Sequence, residues 1–117
     1  MKISAKTIER LVEVVTGNAE KSPYRSGPQL IEFFRDFGER DLYGQGFPSR
    51  ASYAQEKLRK FNGTETMENI VSAAFDFFED DFNPEEEAEA FNRLLVRDGY
   101  RLVLEYRSGW MEGDRYV

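Results

Sequence analysis

Four groups of residues have types and spacing that point to chemistry. The turn Gly44-x-Gly46 precedes Ser49 and Arg50, setting backbone N–H groups, a hydroxyl and a guanidinium near a helix start, an arrangement that favours phosphate. It has the spacing of neither a P-loop nor a dinucleotide fingerprint, and no strand leads into it. A tight turn that inserts Phe47 into the core and sets up a Ser49 cap accounts for the same residues, and we prefer that account. Asp76, Glu79, Asp80 and Asp81 form an oxygen-rich cluster of the kind that holds Mg²⁺ or Ca²⁺. Phe77, Phe78 and Phe82 interleave them without the alternation of an EF-hand, so solvated acids ending a helix are the simpler reading. Glu56-Lys57 matches the end of a nuclease ExK element only superficially, because it falls in a helix without paired strands. Arg50, Lys57, Arg59 and Lys60 make the densest basic run, suited to phosphate contacts or simply to a solvated helix face.

What the chain lacks is as informative. Its 117 residues include no His and no Cys. That excludes a Ser-His-Asp triad, a Cys-His pair, a thiol redox centre and zinc sites built on nitrogen or sulfur. We therefore expect no catalytic residue, no metal and no cofactor. A hydrophobic fraction of 40% with 32% charged residues suits one small domain. Aromatics at 15% are too many for a disordered acidic tail. No apolar h-region follows Met1 and no run approaches the roughly 18 apolar residues of a membrane span, so we expect a cytoplasmic protein.

Charge is unevenly spread. Of 16 Lys+Arg and 22 Asp+Glu, residues 1–63 hold 11 and 8, a surplus of +3, which leaves 5 and 14, or -9, for residues 64–117. A protein that wraps nucleic acid on all sides would not carry such an acidic half.

The elements that must position these groups are mostly helical. Ile8, Leu11, Val12 and Val15 mark a first helix from Ala5 to Thr16, with Ser4 as N-cap and Gly17 as its stop. After a loop over residues 18–26, Ser26-Gly27-Pro28 opens a second helix that buries Leu30, Phe33, Phe34 and Phe37 and ends at Gly38. Two Gly and one Pro keep residues 41–49 out of any helix interior. Ser49 caps a third helix with Ala54, Leu58 and Phe61 inward and Asn62-Gly63 as its stop. Thr64 or Thr66 begins a fourth, with Met67, Ile70, Val71, Ala74 and Phe78 on one side, widened by Phe75 and Phe77 and closed by Glu79-Asp80-Asp81. Its broad stripe makes it the expected centre of the bundle. Asn83-Pro84 followed by three Glu starts a fifth helix that runs to Arg97, burying Ala88, Phe91, Leu94 and Leu95.

Beyond Gly99 the period changes to two: Leu102, Leu104 and Tyr106 alternate with Arg101, Val103, Glu105 and Arg107. A C-terminal β-hairpin ending in Arg115-Tyr116-Val117 follows. The fold class is mostly α, about five helices with a terminal hairpin, partly winged-helix-like. In a winged helix the helix before the hairpin enters DNA, yet here its start carries Glu85, Glu86, Glu87 and Glu89. Nucleic acid, if bound, would meet the basic helix 50–60 instead. Tyr24, Tyr43, Trp110 and Tyr116 lie in loops or at the hairpin, where an exposed ring anchors protein partners. The chain stops within an apolar strand, so residues 1–117 read as a single N-terminal module of a longer protein. A homo-oligomer is left open.

The runs Ser26-Gly27-Pro28-Gln29-Leu30-Ile31-Glu32-Phe33-Phe34, Asp41-Leu42-Tyr43-Gly44-Gln45-Gly46-Phe47-Pro48-Ser49-Arg50 and Asn62-Gly63-Thr64, with Asp98-Gly99-Tyr100, resemble the N-terminal domain of AbiJ-type abortive-infection proteins. The similarity spans most of residues 26–104, and its most specific piece is Tyr43 to Arg50. It implies a non-catalytic sensing or interaction domain of a bacterial antiphage system, placed ahead of an effector such as a HEPN-type ribonuclease. That effector needs a histidine, so it must lie outside this chain. Tyr43, Gln45, Arg50, Lys57, Arg59 and Lys60 are the candidate binding residues.

Overall fold

In the computed structural model, which describes residues 1–77 and 82–104, five α-helices are formed among the described residues. Local chemistry fixes most of their ends. The Ser4 side chain accepts from the Thr7 amide to open α1 (Ala5–Thr16), which stops at Gly17 with φ of 83°. A Cβ at Gly17 would also lie 2.3 Å from Tyr24 Cα, so both the backbone angle and the crossing chain demand glycine. Helix α2 (Gly27–Arg35) carries a full capping box between Ser26 and Gln29. Ser49 accepts from the Ser52 amide ahead of α3 (Arg50–Phe61), and Asn83 from the Glu86 amide ahead of α5 (Pro84–Leu95). Helix α4 (Glu65–Ala74) has Thr64 at its cap position, but the hydroxyl turns back to the Phe61 carbonyl, 2.6 Å away. A 3-10 turn, Val96–Asp98, extends α5 to Gly99.

The bundle is organised around α1 rather than α4. Helix α1 packs on α3, α4 and α5, and Leu11, Val14 and Val15 are wholly buried. Ile8, Leu11, Val12, Val14 and Val15 cover two flanks of one helix, so α1 serves more than one neighbour. Helix α4 stops at Ala74, short of its expected acidic end; Phe75 and Phe77 are buried from the chain beyond it, Phe75 with its ring 5.2 Å from that of Phe91. In α2, Ile31 is buried beside Leu30 and Phe34, while Phe33, and Phe37 in the turn after the helix, are only half-buried. In α3, Tyr53 and Lys57 are buried and Phe61 is half-buried.

Extended residues are held by side-chain amides. Asn62 receives the Ile3 amide at 2.8 Å and donates to the Ile3 carbonyl at 3.0 Å. Asn92 does the same for Leu102, at 2.8 Å each way. Each asparagine thereby replaces a strand neighbour for one residue. Leu102 is buried and Val103 exposed, in keeping with a period of two. Of the expected hairpin, residues 105–117, with Trp110 and Tyr116, lie outside the described residues.

Glu87 departs from the expected row of solvated carboxylates at the start of α5. It is buried, accepts from the Arg10 guanidinium of α1, and accepts from the Lys21 amide at 2.7 Å. Burial of a carboxylate requires such partners. Removing it would leave Arg10, whose Nε is already buried without a partner, with only the longer contact to Glu13 at 3.8 Å. Glu87→Ala should therefore lower unfolding free energy by about 2–3 kcal/mol, whereas Glu85→Ala, at an exposed position two residues away on the opposite side of the helix, should cost less than about 0.5 kcal/mol. Urea denaturation at neutral pH compares the two.

Candidate functional site

The segment between α2 and α3 contains the distinctive turn, and a buried ammonium fixes it in place. Gly38, with φ of 97°, releases the chain from α2, and the Glu39 amide still bonds the Phe34 carbonyl at 3.3 Å. Glu39 to Tyr43 then runs without turn or bend until Gly44 to Gly46, where the Phe47 amide closes on the Gly44 carbonyl at 3.1 Å. The ring of Phe47 returns to within 4.9 Å of Tyr53 in α3, and Tyr43 stacks 4.8 Å from Phe47. Phe47 is half-buried and packs against the core edge rather than inside it.

Lys57 is the centre of the anchor. Its Nζ lies 2.7 Å from Glu39 Oε1 and 2.6 Å from Asp41 Oδ2, while Lys60 Nζ reaches Glu39 Oε2 at 2.7 Å. Tyr53 donates its hydroxyl to Asp41 Oδ2 at 2.8 Å. Two carboxylates and two ammonium groups balance, so no net charge is taken from water. Bonds from Lys57 and then Lys60 hold the Glu39 carboxyl below its ordinary range. Bonds from Lys57 and then Tyr53 do the same for Asp41. Burial alone would lower the Lys57 ammonium, but its bonds to Asp41 and Glu39 outweigh that and raise it. Burial, reinforced by Asp41, pushes the Tyr53 phenol upward.

The expected basic run is thus divided. Lys57 faces inward, contrary to a role on a solvated or phosphate-binding face. Arg50 also faces inward: its guanidinium donates to the Arg25 carbonyl at 2.8 Å and to the Thr16 carbonyl, and lies 4.0 Å over the Tyr24 ring. Lys60 is exposed yet bonded to Glu39, and Arg59 is exposed with no ion pair among the described residues. Gln45 is exposed at the tip of the turn, and Tyr43 is 58% exposed. The hollow under the turn, about 440 Å³, is lined by Asp41, Glu56 and Tyr53 as well as Lys57. Its only ammonium is already held by two carboxylates, so the geometry offers little to a phosphate.

The other sequence candidates do not converge here. Glu56 is exposed while Lys57 is buried, which separates the two residues of the ExK-like pair. Asp76 is exposed, Glu79, Asp80 and Asp81 lie outside the described residues, and no group of three or more His, Cys, Asp or Glu suited to a metal occurs among the described residues. No helix among the described residues is long and apolar enough to cross a membrane. Glu39 and Asp41 were not among the expected site residues. Lys57 itself carried the signal, since it falls three residues after Ala54 and four before Phe61, on the apolar stripe of α3. Leu42 was also missed as a site residue, although it is 86% exposed.

No family model, curated protein or solved structure matches this chain.

Truncating the central cation leaves two buried or half-buried carboxylates facing each other. Lys57→Ala should cost about 3 kcal/mol, while Arg59→Ala should cost less than about 0.5 kcal/mol, both read from urea midpoints. The network also sets a pH window. Glu39 and Asp41 ionise more readily in the folded chain, so their contribution is complete above their ordinary values of 4.5 and 3.8 and is lost as pH falls through the lowered ones. Tyr53 and Lys57 are raised, so theirs is complete below ordinary values of 10.0 and 10.5 and is lost as pH rises beyond them. Glu39→Gln should flatten the acid arm of a stability-against-pH curve and leave less stability at pH 7.

Proposed function

We propose that this chain is a non-catalytic interaction domain that docks a protein partner or attached effector through the Asp41 to Pro48 segment. The observation that carries this reading is Leu42, a large apolar side chain 86% exposed on a segment that is otherwise tightly anchored. An exposed apolar side chain on an ordered scaffold is the kind of residue that anchors a protein partner. Tyr43, the next residue, turns the other way. Its ring lies so close to α2 that a Cβ at Gly27 would meet Tyr43 Cε1 at 2.3 Å. Tyr43 therefore pins the backbone next to Leu42, a preorganisation that limits the entropy lost on binding.

The absence of His and Cys supports a non-catalytic role. The resemblance to AbiJ-type N-terminal domains is most specific at Tyr43 to Arg50, within this segment, and supports placing the domain in a bacterial antiphage system ahead of an effector such as a HEPN-type ribonuclease. Nucleic-acid binding through residues 50–60 is the weaker reading. With Arg50 and Lys57 bonded internally, only Arg59 and Lys60 project cations from that helix, and Lys60 shares Glu39.

The test is a plaque assay with the complete reading frame that encodes this chain, expressed in a bacterial host and challenged with a phage panel. The parent should reduce plating at least tenfold for some phages, and Leu42→Asp should abolish that reduction while leaving the unfolding midpoint of the isolated chain unchanged. Equal protection by the variant would overturn the docking role of Leu42, and no protection by the parent would overturn the antiphage assignment.

A further inference from the structure

Backbone hydrogen bonding sets one segment apart. Single residues of the straight stretches at the two ends of the described chain are engaged: Met1 through Gly63 and Thr64, Ile3 through Asn62, Ser4 through Asp98, and Leu102 through Asn92. Residues Arg40 to Tyr43 differ. They run without turn or bend, yet no described residue hydrogen-bonds to their amides or carbonyls. Their side chains alternate as in a strand. Glu39 and Asp41 turn inward to Lys57, while Arg40 and Leu42 face solvent. An extended, unpaired backbone with alternating faces is a template for an added strand.

Resting on the docking role argued above, we propose that Arg40 to Tyr43 is an edge to which an extended acidic and apolar peptide segment of a partner protein adds as a strand. A free two-stranded pair is marginal because both strands must be ordered. Here the receiving strand is already fixed, by the Glu39 and Asp41 bonds to Lys57 and by the stacking of Tyr43 on Phe47, so the partner alone loses freedom. Charge selects the partner. Outward Arg40, exposed and in no ion pair among the described residues, favours a carboxylate. Leu42 favours an apolar residue one pleat further along.

The test uses the whole chain and a fluorescent eight-residue probe, Thr-Glu-Thr-Val-Thr-Glu-Thr-Val, which sets Glu and Val two residues apart on one face as Arg40 and Leu42 are, followed by anisotropy. Saturable binding is expected. It should weaken at least about tenfold when alternate probe amides are N-methylated, when Lys replaces Glu in the probe, and when the protein carries Leu42→Asp with its unfolding midpoint unchanged. Equal affinity for the N-methylated probe would overturn strand addition while leaving side-chain docking at Leu42 intact. Absence of saturation by the parent probe, or binding indifferent to Leu42→Asp, would overturn the proposal. So would a mass that doubles with concentration and returns to monomer in Leu42→Asp, since the edge would then serve a second copy.

Discussion

The bond between Lys57 and its two carboxylates is the constraint on which the α2–α3 connection depends. Glu39 and Asp41 lie two residues apart on a straight stretch, so both reach one ammonium only if the chain between them is extended. That same geometry forces Arg40 and Leu42 to the opposite side. The exposure of Leu42 is therefore a consequence of the ion pairs beneath it. A buried ion pair adds little net stability compared with an apolar filling, but it specifies arrangement, because each carboxylate must meet its partner. Replacing the cluster with leucines would leave the segment free to slide, and the outward row would lose its register.

The same logic holds the rest of the molecule together. Glu87 joins α1 and the Lys21 loop to the start of α5, and Asp98 accepts from Thr7 at 2.6 Å and from the Ser4 amide at 3.1 Å at the start of α1. Burial acts to raise the Asp98 carboxyl, but the bonds from Thr7 and Ser4 outweigh it and lower it. The positive end of the α1 dipole favours the same ionised form. Few of these contacts join neighbours in sequence. They tie segments between 66 and 94 residues apart, with the packing between helices left to α1.

Much of this was legible in the sequence, and the boundary of legibility has a physical cause. Caps at Ser4, Ser26, Ser49 and Asn83 are local chemistry, and the structure follows them. The end of α4 was misjudged because Phe75 and Phe77 continue an apolar run after the helix has stopped. An apolar run carries no information about where its backbone leaves the helix. Lys57, Arg50 and Glu87 were assigned to solvent because charged residues are seldom buried. Their partners, Glu39 and Asp41, the Thr16 and Arg25 carbonyls, and Arg10, are 16 to 77 residues away in the chain, and no local pattern contains them. The hub position of α1 was hidden likewise, since a stripe does not state how many neighbours it serves.

That boundary bears on function. Read as a sequence, Arg50, Lys57, Arg59 and Lys60 are a basic run, and the natural ligand is a phosphate. In the folded chain the run has been spent largely on carbonyls and carboxylates of the same molecule. The surface it organises is apolar and extended instead. Moving two cations inward thus removes much of the positive surface that a polyanion would need, without changing any residue. Of the positive surplus of residues 1–63, Arg40 is left exposed beside Leu42. Charge at such a place acts on partner choice and encounter rate more than on affinity, so in the proposed docking role the binding strength would come from Leu42 and the backbone around it.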